Sequence, residues 1–235
     1  MMLACVEVGP ESGAEASVVW LHGLGASGHD FADVPPLLDL PRVRFVFPHA
    51  PNRPVTINMG LIMPAWFDVR SLGGRALEEG VASAEDERGV RDSAARVMEL
   101  IERERRRGVP PGRVVVGGFS QGGAMALFVG ARFPDPLAGI MVLSGWEVLA
   151  ATRHAEETEA NRQTPLLVCH GRRDPMVPFE AGRRAYEAYA RDGRPAEFHP
   201  FPMEHQVNME EIAVIGRWLK LCLAPAPRAE PGAGA

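Results

Sequence analysis

Cysteine is scarce: Cys5, Cys169 and Cys222 are the only three in 235 residues. An odd, widely spaced set gives neither a disulfide framework nor a zinc-ligand pattern, and reads as small core residues kept as thiols in a reducing compartment. Long hydrophobic runs are missing too. No stretch approaches the ~20 apolar residues that cross a bilayer, so stable membrane insertion is not expected. The opening residues "MMLACVEVGPESG" lack both a basic leader and an apolar run of about seven residues, which leaves the cytoplasm as the expected location. Positive charge is not in excess: 25 basic residues face 30 acidic ones, a formal net charge of −5. With no basic, aromatic-interleaved patch, nucleic acid is not an expected partner. No internal repeat occurs, and no His, Cys, Asp and Glu set has metal-ligand spacing, so neither a metal nor another cofactor is expected.

What is present is a series of short apolar runs separated by helical patterns. "VVWL" (18–21), "RFVF" (44–47), "VVVG" (114–117), "GIMVLS" (139–144), "LLVC" (166–169) and "AEFHPF" (196–201) read as strands, most of them continuously apolar as parallel strands covered on both faces should be. The clearest helix is "SAEDERGVRDSAARVMELIERERRRG", with Val90, Ala94, Val97, Met98 and Ile101 on one face, a capping box from Ser83 and Asp86, and Gly108 and Pro110 closing it. Further helices are expected over 121–132, 179–191 and 208–222. Strands alternating with helices predict an α/β fold with a mostly parallel, doubly wound sheet flanked by helices. A chain of this length fits one domain, over 1–223. The tail "APAPRAEPGAGA" (224–235) is too rich in Ala, Pro and Gly to pack and is expected to be disordered. Segments 48–66 and 145–163 resist the pattern and read as loops or partly helical excursions over a site.

"GFSQG" places Ser120 between a strand and a helix, the setting in which a nucleophilic serine is held on a sharp turn at the top of a sheet. A serine hydroxyl needs a general base, and the base needs an acid to fix its tautomer. Downstream, Asp174 follows the strand "LLVC", at the carboxyl end where ligands meet a parallel sheet, and His205 lies between the last strand and the last helix. Of the seven histidines, His22 and His29 precede the serine in a glycine loop, His49 lies in the proline-rich excursion and His154 in a polar stretch. His170 closes a strand beside the acid loop, and His199 sits within the last strand. His205 alone completes the order serine, acid, histidine.

Acyl transfer also needs donors for the developing oxyanion. Gln121 N–H, just after the nucleophile, is one candidate; Leu24 N–H, in the glycine loop after an early strand, is the second. The Leu24 side chain is also a candidate for lining an acyl pocket, as are Met63 and Trp66, which with Met59 make an apolar patch in the first excursion.

"LHGLGASGHDF", "FPHAPNRPVTINMGLIMPAWFDV", "GGFSQGGAMAL", "CHGRRDPMVP" and "FPMEHQV" resemble, in order and over nearly the whole chain, the motifs of the phospholipase/carboxylesterase family, which includes the acyl-protein thioesterases. The resemblance implies an α/β-hydrolase fold without a large lid, a Ser120, His205, Asp174 triad, oxyanion donors at Leu24 and Gln121, no cofactor, and hydrolysis of small-molecule carboxylic esters or thioesters, with lysophospholipids as a variant. Family members commonly carry an acidic residue where this chain has Ala26 or Ser27, and glycine where it has Glu204. "SGWEV" (144–148) is also unusual. A carboxylate beside an imidazole favours its charged form, so Glu204 is a candidate for tuning His205. The chain alone leaves open a homodimer and a noncatalytic role, in which the same fold binds a ligand or partner without turnover.

Overall fold

The computed structural model describes residues 2–70 and 85–224. A seven-stranded sheet runs in the order β1-β3-β2-β6-β7-β8-β9, with β1 (Cys5–Val8), β2 (Ala16–Leu21), β3 (Val43–Pro48), β6 (Val114–Phe119), β7 (Gly139–Leu143), β8 (Leu166–Gly171) and β9 (Ala196–Phe201). All neighbours pair in parallel except β1, which pairs antiparallel with β3 at one edge. The first excursion contains a separate antiparallel hairpin, β4 (Asn52–Val55) with β5 (Leu61–Pro64).

The six strands expected from sequence are all present. The central ones are Val- and Ile-rich because both faces are covered. Val19, Leu21, Val116, Val142 and Val168 pack on one side, under α2 (Glu87–Arg106), α3 (Gln121–Arg132) and α5 (Phe179–Arg191). Trp20, Phe45, Phe47, Met141 and Leu167 face the other side, under α1 (Pro35–Leu38) and α6 (Met209–Cys222). A parallel sheet needs its crossovers laid on both faces in this way. The second excursion holds the short helix α4 (Arg153–Glu156).

Helix α2 starts at Glu87 with Asp86 as its N-cap, accepting from Gly89 N at 2.9 Å. The expected capping partner Ser83 lies outside the described residues, as does the tail beyond residue 224. On the apolar face Val90, Ala94, Val97, Leu100 and Ile101 are buried, while Met98 is only partly so. Gly108, with φ of +92°, ends the helix region in the left-handed conformation that glycine adopts without strain.

Candidate active site

The carboxyl ends of β6, β8 and β9 bring the sequence-predicted triad together. Ser120 sits between β6 and α3 with φ of +56° and ψ of −120°, a conformation that strains any residue with a Cβ. The close fit around the turn explains its glycines. A Cβ on Gly118 would lie 2.3 Å from Gly122 C, and one on Gly122 would lie 2.3 Å from Leu21 O. The serine side chain is therefore held out at the top of the sheet, where Oγ meets His205 Nε2 at 2.9 Å. His205 Nδ1 meets Asp174 Oδ2 at 2.7 Å.

Asp174 is fully buried at its side chain, and its second oxygen accepts from the Met176 and Val177 amides, each at 2.9 Å. Burial pushes its pKa up, but the hydrogen bonds from His205, Val177 and Met176 outweigh burial and hold the carboxyl below its ordinary value. The acid is thus ionised and its tautomer-fixing bond to Nδ1–H is charge-assisted. Beneath the loop lies His170, whose Nε2–H donates to Val177 O at 3.0 Å. Burial lowers its pKa and keeps it neutral, and Gly182 lies so close that a Cβ there would meet His170 Nδ1 at 2.2 Å.

On the other side of Ser120 the glycine loop after β2 approaches closely. A Cβ on Gly23 would contact Ser120 Cβ at 3.4 Å. His22, completely buried, accepts from Ala50 N at Nε2 (3.0 Å) and meets Gly23 O with Nδ1 at 2.7 Å. An amide can only donate and a carbonyl only accept, so the proton resides on Nδ1. Burial lowers the His22 pKa, which preserves this neutral form. Gln121 is the first residue of α3, where amides have no helical carbonyl to meet.

The substrate candidates divide. Leu24 and Met63 are partly buried beside the loop, with Met63 Sδ 3.6 Å from the Cβ position of Gly25. Trp66 is corrected: it is completely buried, with its indole N–H bonded to His22 O at 2.8 Å, so its ring offers no face to an acyl chain. The exposed apolar side chains of the excursion are Ile57, Met59, Leu61 and Ile62. Sequence reasoning missed the hydrogen bonds of the His22 ring, the Gln121 side chain and Trp66 beside the candidate site. The one available signal was that Gln121 carries one expected oxyanion donor and His22 lies two residues before the other.

Glu204 is exposed, and among the described residues nothing bonds or pairs with its carboxylate. Ser27, at the other departure, donates to Asp30 through N and Oγ at 3.0 Å each, which closes the loop locally. Among the described residues His154, Glu157 and Asp192 bring potential metal ligands together, yet both carboxylates already bind Arg153, at 3.4 and 2.6 Å.

Comparison with known proteins places the chain in a family. The phospholipase/carboxylesterase family matches residues 4–223. Acyl-protein thioesterase 1 of Gibberella zeae is 38% identical over 217 residues, covering 89% of this chain and 92% of that protein. The Mycosarcoma maydis protein of the same name is 36% identical, over 93% and 97%. Among solved structures, Arabidopsis thaliana SOBER1 superposes with a TM-score of 0.82 at 34% identity, covering 88% of this chain and 99% of that one. Zea mays acyl-protein thioesterase 2 gives a TM-score of 0.79 at 30% identity, over 94% and 99%. The chain belongs to the phospholipase/carboxylesterase family and is a hydrolase with the α/β-hydrolase fold.

Proposed function

We propose that the chain hydrolyses carboxylic esters or acyl thioesters through a covalent acyl-enzyme, with Ser120 as nucleophile, His205 as general base and Asp174 as its orienting acid. The observation that carries this reading is the bridging imidazole, 2.9 Å from Ser120 Oγ and 2.7 Å from Asp174 Oδ2. Ser120 Oγ attacks the acyl carbonyl while His205 Nε2 takes its proton, and Asp174 stabilises the imidazolium so formed. The Leu24 and Gln121 amides receive the oxyanion, the leaving alcohol or thiol takes the proton back from His205, and water then repeats the sequence to release the acid. The names of the fungal relatives support an acyl thioester as one substrate class. Partly buried Leu24, within the oxyanion loop, and Met63, beside it, suit the first carbons of an acyl chain.

The test is Ser120→Ala. The variant should fold normally and lose hydrolysis of a short p-nitrophenyl ester by roughly 10³-fold or more. The wild type should be labelled at Ser120 by a fluorophosphonate. Undiminished turnover in the folded variant overturns the assignment, and an unlabelled wild type favours a noncatalytic binding protein.

A further inference from the structure

We propose that Trp66 is a positioning residue for the oxyanion hole, a strut that fixes the spacing between the Leu24 and Gln121 amides. The inference rests on the reading of those two amides as oxyanion donors. Trp66 is completely buried and bonded at both ends. Its backbone N–H donates to Gln121 Oε1 at 2.9 Å, while Gln121 Nε2 donates to Phe67 O at 2.7 Å, so the glutamine amide clamps the Trp66–Phe67 backbone through two bonds. That clamp holds the residue whose own N–H is one donor.

The indole reaches the other donor. Its Nε1–H donates to His22 O at 2.8 Å, and its ring lies against the His22 ring with centroids 5.3 Å apart. His22 in turn donates from Nδ1 to Gly23 O at 2.7 Å, and Ala26 N adds a longer bond to the same oxygen at 3.3 Å. In a trans peptide the N–H points opposite the C=O. Holding Gly23 O on the His22 side therefore turns the Leu24 N–H away from it. The same segment touches the loop once more, where Pro64 O accepts from Gly25 N at 2.8 Å, and it is anchored to α2 by Ser93 Oγ donating to Trp66 O. One tryptophan thus bonds to His22, two residues before the Leu24 donor, and to Gln121, which carries the other donor, across 44 and 55 residues of sequence.

A tryptophan that only filled the core would tolerate loss of its N–H without changing chemistry, whereas a strut would not. Trp66→Phe keeps an aromatic ring and leaves His22 O without its donor. On a soluble p-nitrophenyl ester, kcat per fluorophosphonate-titrated site should fall roughly 10-fold or more, with KM within about 3-fold. The inhibition constant of phenylboronic acid, whose Ser120 adduct puts an oxygen in the hole, should rise by the same factor. Titration removes any loss of folded protein from the comparison. Unchanged kcat and unchanged boronate inhibition overturn the proposal and leave the triad reading intact. Absence of Ser120-dependent hydrolysis in the wild type overturns both. If Trp66→Phe does not fold, Ser93→Ala releases the Trp66 carbonyl instead and should lower kcat about 3-fold with matching weaker boronate binding. Wild-type values in that variant would overturn the proposal.

Discussion

Glu104 and Glu211 are both completely buried, on opposite faces of the sheet, and they are handled in opposite ways. Glu104, in α2, meets Arg44 at 2.7 Å, Ser17 Oγ at 2.8 Å, Arg107 at 3.0 Å and Arg103 at 3.2 Å. Burial pushes its pKa up, but the Ser17 and Arg44 hydrogen bonds and the Arg107 charge prevail and hold it below its ordinary value. Glu211, in the first turn of α6, has no well-formed hydrogen bond to either oxygen among the described residues, and the Asn208 backbone amide is the one group that offsets its burial. Burial pushes its pKa up to about 8. The difference teaches that burial alone does not decide charge. A buried carboxyl ionises where donors are built around it and keeps its proton where they are not.

The largest expected effect comes from breaking the partnered site. Glu104→Ala leaves the Arg44 guanidinium buried without its carboxylate, and should destabilise the fold by about 3–5 kcal/mol in urea unfolding at pH 7. A loss under about 1 kcal/mol would show that the remaining Arg44 bonds to the Pro10 and Glu11 carbonyls suffice. The depressed pKa gives this contribution a direction. It is present above the unfolded value near 4.5 and is lost as pH falls through the folded value, so the variant should also lose part of the wild type's acid sensitivity below about pH 4.5.

Glu211 should behave in the reverse sense. Its folded pKa of about 8 lies above the ordinary 4.5, so the stability it confers is complete below about pH 4.5 and declines as pH rises to about 8. At about 1.4 kcal/mol per unit the full window bounds the decline at about 5 kcal/mol. Glu211→Gln, which cannot ionise, should match the wild type at pH 5 and exceed it by about 2–4 kcal/mol at pH 8 in the same unfolding assay. Parallel stability curves for the two proteins would mean that the wild-type carboxylate finds partners in solution.

The contrast also marks how far the sequence could be read. The six parallel strands were legible because most are continuous apolar runs and all alternate with helical patterns. β1 was not, since "CVEV" is three half-buried residues and an exposed Glu7 at an edge, held by its antiparallel pairing to β3. The β4–β5 hairpin was hidden by Pro54 and Pro64 and by a turn in which Met59 takes positive φ. Ser120, Asp174 and His205 could be named because their order follows from topology. The braces behind them could not, because Trp66 meets His22 and Gln121 only through folding, and a tryptophan in a loop reads equally well as surface or core. Glu211 was hidden for a related reason. An acid in the first turn of a helix reads as an exposed partner of the helix dipole, and only the docking of α6 on the sheet buries it.

A third carboxylate extends the comparison to the case without burial, and it carries the smallest expected effect. Glu204 stands beside His205 in the chain, and its side chain lies in solvent. Its backbone is what the loop uses: Glu204 O accepts from Gln206 N at 3.0 Å and sits only 2.3 Å from where a Gly171 Cβ would be. Neighbouring side chains on an extended loop diverge, and a solvated charge acts through water and counterions that screen it within about 8 Å at physiological salt. Glu204→Gln removes the charge and leaves the backbone contacts in place. The kcat/KM profiles of variant and wild type should therefore coincide from pH 5 to 9 at about 0.15 M salt. An acidic limb that moves to lower pH in the variant, and does so more at low ionic strength, would show instead that an exposed carboxylate tunes the base through space.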